Sequence, residues 1–122
     1  AMLGEKMRRH KVKVWLINTG WTGGPYGIGS RIKLSYTRTM ISAALDGSLD
    51  GVHYDKHPVF GIEIPMGCPG VPSQILYPRD TWADKDAYDQ KAIQLAEKFI
   101  ANFRKYADGA DAEILAAAPI IP

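Results

Sequence analysis

A single cysteine in 122 residues excludes a good deal of chemistry at once. One thiol cannot close an internal disulfide, and it cannot supply the several thiolates of a cysteine-based zinc cluster. Cys68 lies among turn residues in Met66-Gly67-Cys68-Pro69-Gly70, a setting that predicts a packed loop thiol rather than a nucleophile. A lone free thiol also fits a reducing compartment better than a secreted disulfide framework. Long apolar runs are missing too: none has the length of about 20 residues that a helix needs to cross a bilayer. The first residues lack the basic, apolar, small-residue order of a signal peptide. The expectation is a cytoplasmic protein with no membrane partner.

Charge of one sign is scarce. The balance of 15 Lys and Arg against 13 Asp and Glu leaves a formal net charge of only +2. A nucleic-acid-binding domain masses cations on one face, so no nucleic-acid partner is expected. The one basic cluster, Lys6, Arg8, Arg9, His10, Lys11 and Lys13, reads as a phosphate-binding arm or as a solvated helix end whose cations suit the negative pole of the helix dipole. The second account is the simpler.

What is present suits one globular unit, with 46% hydrophobic and 23% charged residues, ordinary proportions for a soluble domain. Residues 2–10 have helical spacing but no good N-cap in Ala1 or Met2, which suggests a cut end. Val12 to Asn18, "VKVWLIN", is nearly continuous apolar and predicts a strand covered on both faces. "RIKLSY" (31–36) predicts a short strand, and Met40, Ile41, Ala44 and Leu45 predict a helix over 37–45 that Gly47 terminates. "GVHYDKHPVFGIEIP" predicts two short paired strands. The proline-rich stretch from Pro65 to Pro78 predicts irregular chain. From Trp82 to Tyr106, the stripe Tyr88, Ala92, Leu95, Ala96, Phe99, Phe103 and Tyr106 predicts a long amphipathic helix. Thr81 and Asp84 are placed to cap it, and Gly109 to stop it. "ADAEILAAAPIIP" predicts a short, weak helix and an apolar tail. The fold class is α/β, a mixed sheet with a long C-terminal helix packed on it.

The chemistry centres on "GWTGGPYGIGSRIKLSYTR", residues 20–38. Gly24 and Gly29 have the glycine spacing of a phosphate-binding P-loop, but Ser30 stands where that motif needs lysine. The fingerprint G-x-G-x-x-G fits no register. What survives is the exit from the loop. Arg31 offers a planar cation for a base or a phosphate, Ile32 an apolar contact, and Thr37 a hydroxyl and a cap at the start of the next helix. Those groups suit the adenine and ribose end of a nucleotide; the plainer account is a capped helix and a surface arginine. His53, Asp55 and His57 alternate along a strand and so share one face, the donor types of an open metal site. Their spacing is wide for ligands of a common ion, and an exposed edge strand accounts for them as well.

"VWLINTGWTGGPYGIGSRIKLSYTRTMISAALDGSL" resembles the nucleotide-end segment of ATP-dependent phosphoenolpyruvate carboxykinase, and "PGVPSQILYPRDTWADKDAYDQKAIQLAEKF" is similar to the C-terminal region of the same family, in the same order. The resemblance implies that residues 1–122 are one segment, the C-terminal part of a larger mononucleotide-binding domain. It implies an enzyme that turns oxaloacetate and ATP into phosphoenolpyruvate, carbon dioxide and ADP, in gluconeogenesis, with magnesium at the nucleotide and manganese at the substrate. Arg31, Ile32 and Thr37 match the family's contacts to the adenosine end of ATP. The family's P-loop lysine, metal ligands and oxaloacetate-binding arginine lie upstream of this segment, so the remainder of the carboxykinase chain is the implied partner and the isolated chain is expected to be inactive. Ser30 stands where the family usually has lysine, and Tyr77 and Asp80 where asparagine is common. The alternatives are a free-standing nucleotide-binding or regulatory module without catalysis, and an interaction domain with a glycine-rich surface loop.

Overall fold

The computed structural model describes residues 2–122; Ala1, considered above as a cap, lies outside the described residues. The chain runs through α1 (Met2–His10), the two-residue strands β1 (Trp21–Thr22) and β2 (Ser30–Arg31), and α2 (Leu34–Asp46). It continues through β3 (Tyr54–Lys56), β4 (Glu63–Pro65), the single turns α3 (Ser73–Leu76) and α4 (Pro78–Thr81), and the long helix α5 (Lys85–Phe103). A 3₁₀ turn (Ala107–Gly109) and α6 (Ala112–Ala116) follow it. Helices and strands are mixed, in the broad sense α/β. The expected mixed sheet is not formed: β1 with β2 and β3 with β4 make two separate antiparallel ladders. The hairpin predicted over 51–65 is present, with Tyr54 opposite Pro65 and Lys56 opposite Glu63.

The main correction falls on Val12–Asn18, which joins neither ladder. Trp15 and Ile17 are half-buried, whereas Val12, Val14 and Leu16 stay exposed, Leu16 at 82%. This alternation is that of a strand with one face docked and the other open. Trp15 packs on the larger core cluster, and Lys13 Nζ meets Asp50 Oδ1 at 2.7 Å. Backbone pairing needs a neighbouring strand, and the described residues place none beside it. The short strand predicted over 31–36 is also cut back, because α2 begins at Leu34.

α2 ends where Gly47 takes a left-handed conformation, φ 84°, which a side chain would disfavour. Of its predicted apolar set, Met40 and Ala44 pack inward around buried Ala43, while Ile41 and Leu45 face outward. Leu49, Cys68 and Val71 complete this cluster, with Ile75 and Leu76 beside them. Cys68 is therefore a core thiol; burial first, and the charge of Asp46 second, push its pKa up, which keeps it protonated and unreactive.

The second cluster joins α5 to the β3–β4 turn. Ala96, at 0% exposure, and Ala92 lie against Val59, with Phe60 and Tyr88 beside them. Small residues allow that close approach, while Leu95, Phe99 and Tyr106 of the predicted stripe remain exposed. The cap of α5 is Asp84, whose carboxylate accepts from Ala87 N at 3.0 Å, and not Thr81. The helix stops at Phe103, ahead of Gly109, with Arg104 N donating to Ile100 O at 3.3 Å. In the tail, Ile120 N donates to Val59 O at 2.7 Å and returns the chain to this cluster.

Replacing Gly47 with alanine keeps the helix composition but forces a Cβ into the left-handed region. The expected loss is about 1 kcal/mol of unfolding free energy, read as a lower urea midpoint at unchanged slope.

Candidate functional site

The glycine-rich loop is the turn of the β1–β2 hairpin. Trp21 pairs with Arg31 and Thr22 with Ser30, and Ile32 N donates to Gly20 O at 2.9 Å to extend the pairing. Asn18 braces the entry: its Oδ1 accepts from Gly20 N at 2.9 Å and its Nδ2 donates to Trp21 O at 3.0 Å. Gly29 is required by close approach, since a Cβ there would lie 2.6 Å from Thr22 O and closer still to Gly24 O.

The direction of the loop amides decides what the loop can hold. Ile28 N and Gly29 N both donate to Pro25 O, at 3.0 and 2.9 Å. Gly23 N donates to Thr81 Oγ1 at 3.1 Å. A phosphate cradle offers its amides outward, and these three are already engaged inside the chain. The loop geometry agrees with the sequence reading that this is not a P-loop.

The three predicted contacts fall on consecutive elements. Arg31 is exposed on β2 and Ile32 is half-buried beside it. Thr37 lies in the body of α2 at 6% exposure; it is not a cap. The N-cap is Lys33, whose carbonyl accepts from Tyr36 N and Thr37 N. Lys33 Nζ sits 5.5 Å from the centroid of the Tyr36 ring. Arg31 and Thr37 therefore share a continuous stretch of chain but not one exposed face.

Two features escaped the sequence reading. Trp21 and Tyr26 pack edge to face, with ring centroids 5.4 Å apart. On the other side of the hairpin, Thr22, Gly23 and Ser30 form an open groove of about 380 Å³ with Gln74, Ile75, Asp80 and Thr81. Ser30 and Asp80 thus line one groove. The packing of α4 against the loop, through the Gly23–Thr81 hydrogen bond, puts them on one groove, a juxtaposition that local patterns do not carry. The groove is held from behind by Arg79, whose Nε and Nη2 meet Asp89 Oδ1 and Oδ2 at 2.8 and 2.9 Å and tie α4 to α5. Each partner favours the charged form of the other, raising the Arg79 pKa and lowering that of Asp89.

The alternating His53, Asp55 and His57 do not converge on one point. His53 and Asp55 are exposed neighbours, 3.4 Å apart. His57 is buried at 5% exposure, and both its nitrogens are engaged. Val59 N and Phe60 N point at Nδ1, at 3.1 and 3.2 Å, so Nδ1 is the acceptor and the proton resides on Nε2. Nε2 lies 2.9 Å from Tyr88 Oη. His57 is a structural histidine that joins the β3–β4 turn to α5. Among the described residues, no group of three His, Cys, Asp or Glu side chains is arranged to hold a metal ion. Nor, among the described residues, is any helix long and apolar enough to cross a membrane.

Comparison with known proteins gives the lineage. The family model for phosphoenolpyruvate carboxykinase matches residues 1–74. The phosphoenolpyruvate carboxykinase (ATP) of Flavobacterium johnsoniae is 66% identical over 119 residues, which is 98% of this chain and 22% of that protein. The proteins of the same name from Christiangramia forsetii and Thermus thermophilus are 57% and 56% identical, over 98% and 97% of this chain and 22% of each relative. With the family model matched over residues 1–74 and more than half of the aligned residues in common with each of these relatives, the chain belongs to the phosphoenolpyruvate carboxykinase family. It spans about a fifth of the length of these relatives, 22%.

Burial lowers the His57 pKa, against a smaller opposing effect of the Asp89 charge. The folded state therefore takes up a proton at lower pH than the unfolded state, whose histidine titrates near 6.5. Above that pH both states hold neutral imidazole and stability is flat. Below it the unfolded state gains the proton first, so stability falls as pH drops toward the folded pKa. Urea midpoints measured from pH 7.5 to 5.5 are expected to fall in the native chain and to flatten in His57→Gln. A slope unchanged by the substitution would rule out His57 as its source.

Proposed function

We propose that this chain forms the adenosine-end wall of the nucleotide site of an ATP-dependent phosphoenolpyruvate carboxykinase. The reaction is the decarboxylation of oxaloacetate with phosphorylation of the product by ATP, giving phosphoenolpyruvate, carbon dioxide and ADP, and the enzyme works in the cytoplasm. The observation that carries this reading is the family match over residues 1–74, which contains the whole stretch from Gly20 to Thr37. Residues 1–122 are one segment of a larger mononucleotide-binding domain completed by the remainder of the carboxykinase chain, and α5 is the long helix packed on it.

In this reading Arg31 is the exposed contact, its flat guanidinium lying on the base or bridging toward phosphate. Ile32 adds an apolar surface beside it. Thr37 is the inner member, buried in the first turn of α2. The engaged amides of Gly23, Ile28 and Gly29 argue that the polyphosphate is held elsewhere. In this reading magnesium and manganese are likewise held by residues outside this chain; the His53, Asp55 and His57 set does not fit them. His57 has no free nitrogen, and His53 and Asp55 provide a pair only.

Phosphoryl transfer rests on positioning and on neutralising charge at the phosphates, and among the described residues there is neither a phosphate cradle nor a group of side chains arranged to hold a metal ion. The isolated chain is expected to form no phosphoenolpyruvate from oxaloacetate and ATP in a coupled assay. In a full-length carboxykinase carrying this segment, Arg31→Ala is expected to weaken ATP binding about tenfold, or 1.4 kcal/mol, by titration calorimetry. Turnover by the isolated chain, or an unchanged ATP affinity in Arg31→Ala, would overturn the assignment.

A further inference from the structure

The two faces of the β1–β2 hairpin differ in kind. Residues directly opposite in an antiparallel pair project to the same side, so Trp21 and Arg31 share one face while Thr22 and Ser30 share the other. The Thr22–Ser30 face is polar and opens onto the groove with Gln74 and Asp80. The Trp21–Arg31 face is aromatic and cationic, and both side chains are exposed, Trp21 at 42%. Tyr26, folded back by the turn at Pro25, meets Trp21 edge to face at 88°. An edge-on neighbour fixes the indole without stacking over it.

From this we infer that Trp21 is a stacking residue for the purine ring of the nucleotide, working with Arg31 as the second side of a flat slot and with Tyr26 as its brace. The inference rests on the proposed ATP site and adds to it the residue that reads the base. The amides of Gly23, Ile28 and Gly29 are engaged inside the chain, and the exposed groups on this face are an indole and a guanidinium, so a ligand here is recognised by its π surface. An indole and a guanidinium both favour flat aromatic ligands, and stacking of a base on an aromatic side chain is a substantial contribution to binding.

The test compares ATP with inorganic tripolyphosphate, which carries the charge without the base, in a full-length carboxykinase carrying this segment. Trp21→Leu, Trp21→Phe and Arg31→Ala are measured by titration calorimetry, with circular dichroism to establish that each variant is folded. Trp21→Leu is expected to weaken ATP binding about tenfold and Trp21→Phe about threefold, with tripolyphosphate binding unchanged in both. Unchanged ATP affinity in Trp21→Leu, with Arg31→Ala still impaired, overturns the stacking role and leaves the ATP site standing. Unchanged affinity in both variants overturns the site as well. An equal loss of ATP and tripolyphosphate in Trp21→Leu shows loop collapse, and the base-reading role is then rejected.

Discussion

The hydrogen bond from Gly23 N–H to the Thr81 hydroxyl fastens the glycine-rich loop to the rest of the chain. β1 and β2 are only two residues each, and a ladder that short does not hold a loop by itself. Thr81 is fixed in turn by donating to Pro78 O at 2.7 Å, and α4 is fixed by the two-pronged Arg79–Asp89 pair. The loop's position is thus set by α5 acting through one short helix. Arg79 and Asp89 are both partly exposed, so solvent screens their attraction and the pair contributes more to geometry than to stability. Its planar fork fixes the angle at which α4 meets α5.

The same helix anchors the second half of the chain by different means. Ala92 and Ala96 bring the β3–β4 turn close, and His57 spans the remaining gap to Tyr88. A buried imidazole is tolerated there because two backbone N–H groups and one phenol satisfy both of its nitrogens; unsatisfied, it would carry the full cost of desolvation. The residue that looked most like a metal ligand is therefore committed to architecture. Asp89 connects the two halves, since its charge acts on His57 while its oxygens hold Arg79.

Much of this was legible in advance where the signal is local. The helix after the loop, its end at Gly47, the paired strands over 51–65 and the helical stripe from Tyr88 onward all follow from spacing and turn chemistry. Boundaries were less legible because they depend on competition between partners. Thr81 looked like a cap for α5, but its hydroxyl is taken by Gly23 and Pro78, and Asp84 caps the helix instead. Thr37 looked like a cap for α2, yet the chain turns helical three residues earlier and carries Thr37 into the core. Val12–Asn18 reads as a doubly covered strand because its side chains are those of one, but its covering is not among the described residues.

By itself the amino-acid sequence determined the family and the chemical character of the loop, since descent is written in identities and a missing lysine is visible in a string of letters. It also determined the helical and paired segments whose periodicity is built from near neighbours. Only the tertiary structure decided which loop amides are consumed, which histidine nitrogens are engaged, and that Trp21 and Arg31 share a face opposite Thr22 and Ser30. Each of those depends on where a hydrogen-bond partner or a cross-strand neighbour arrives from elsewhere in the chain. Such contacts leave no local pattern because the separation between partners is set by packing.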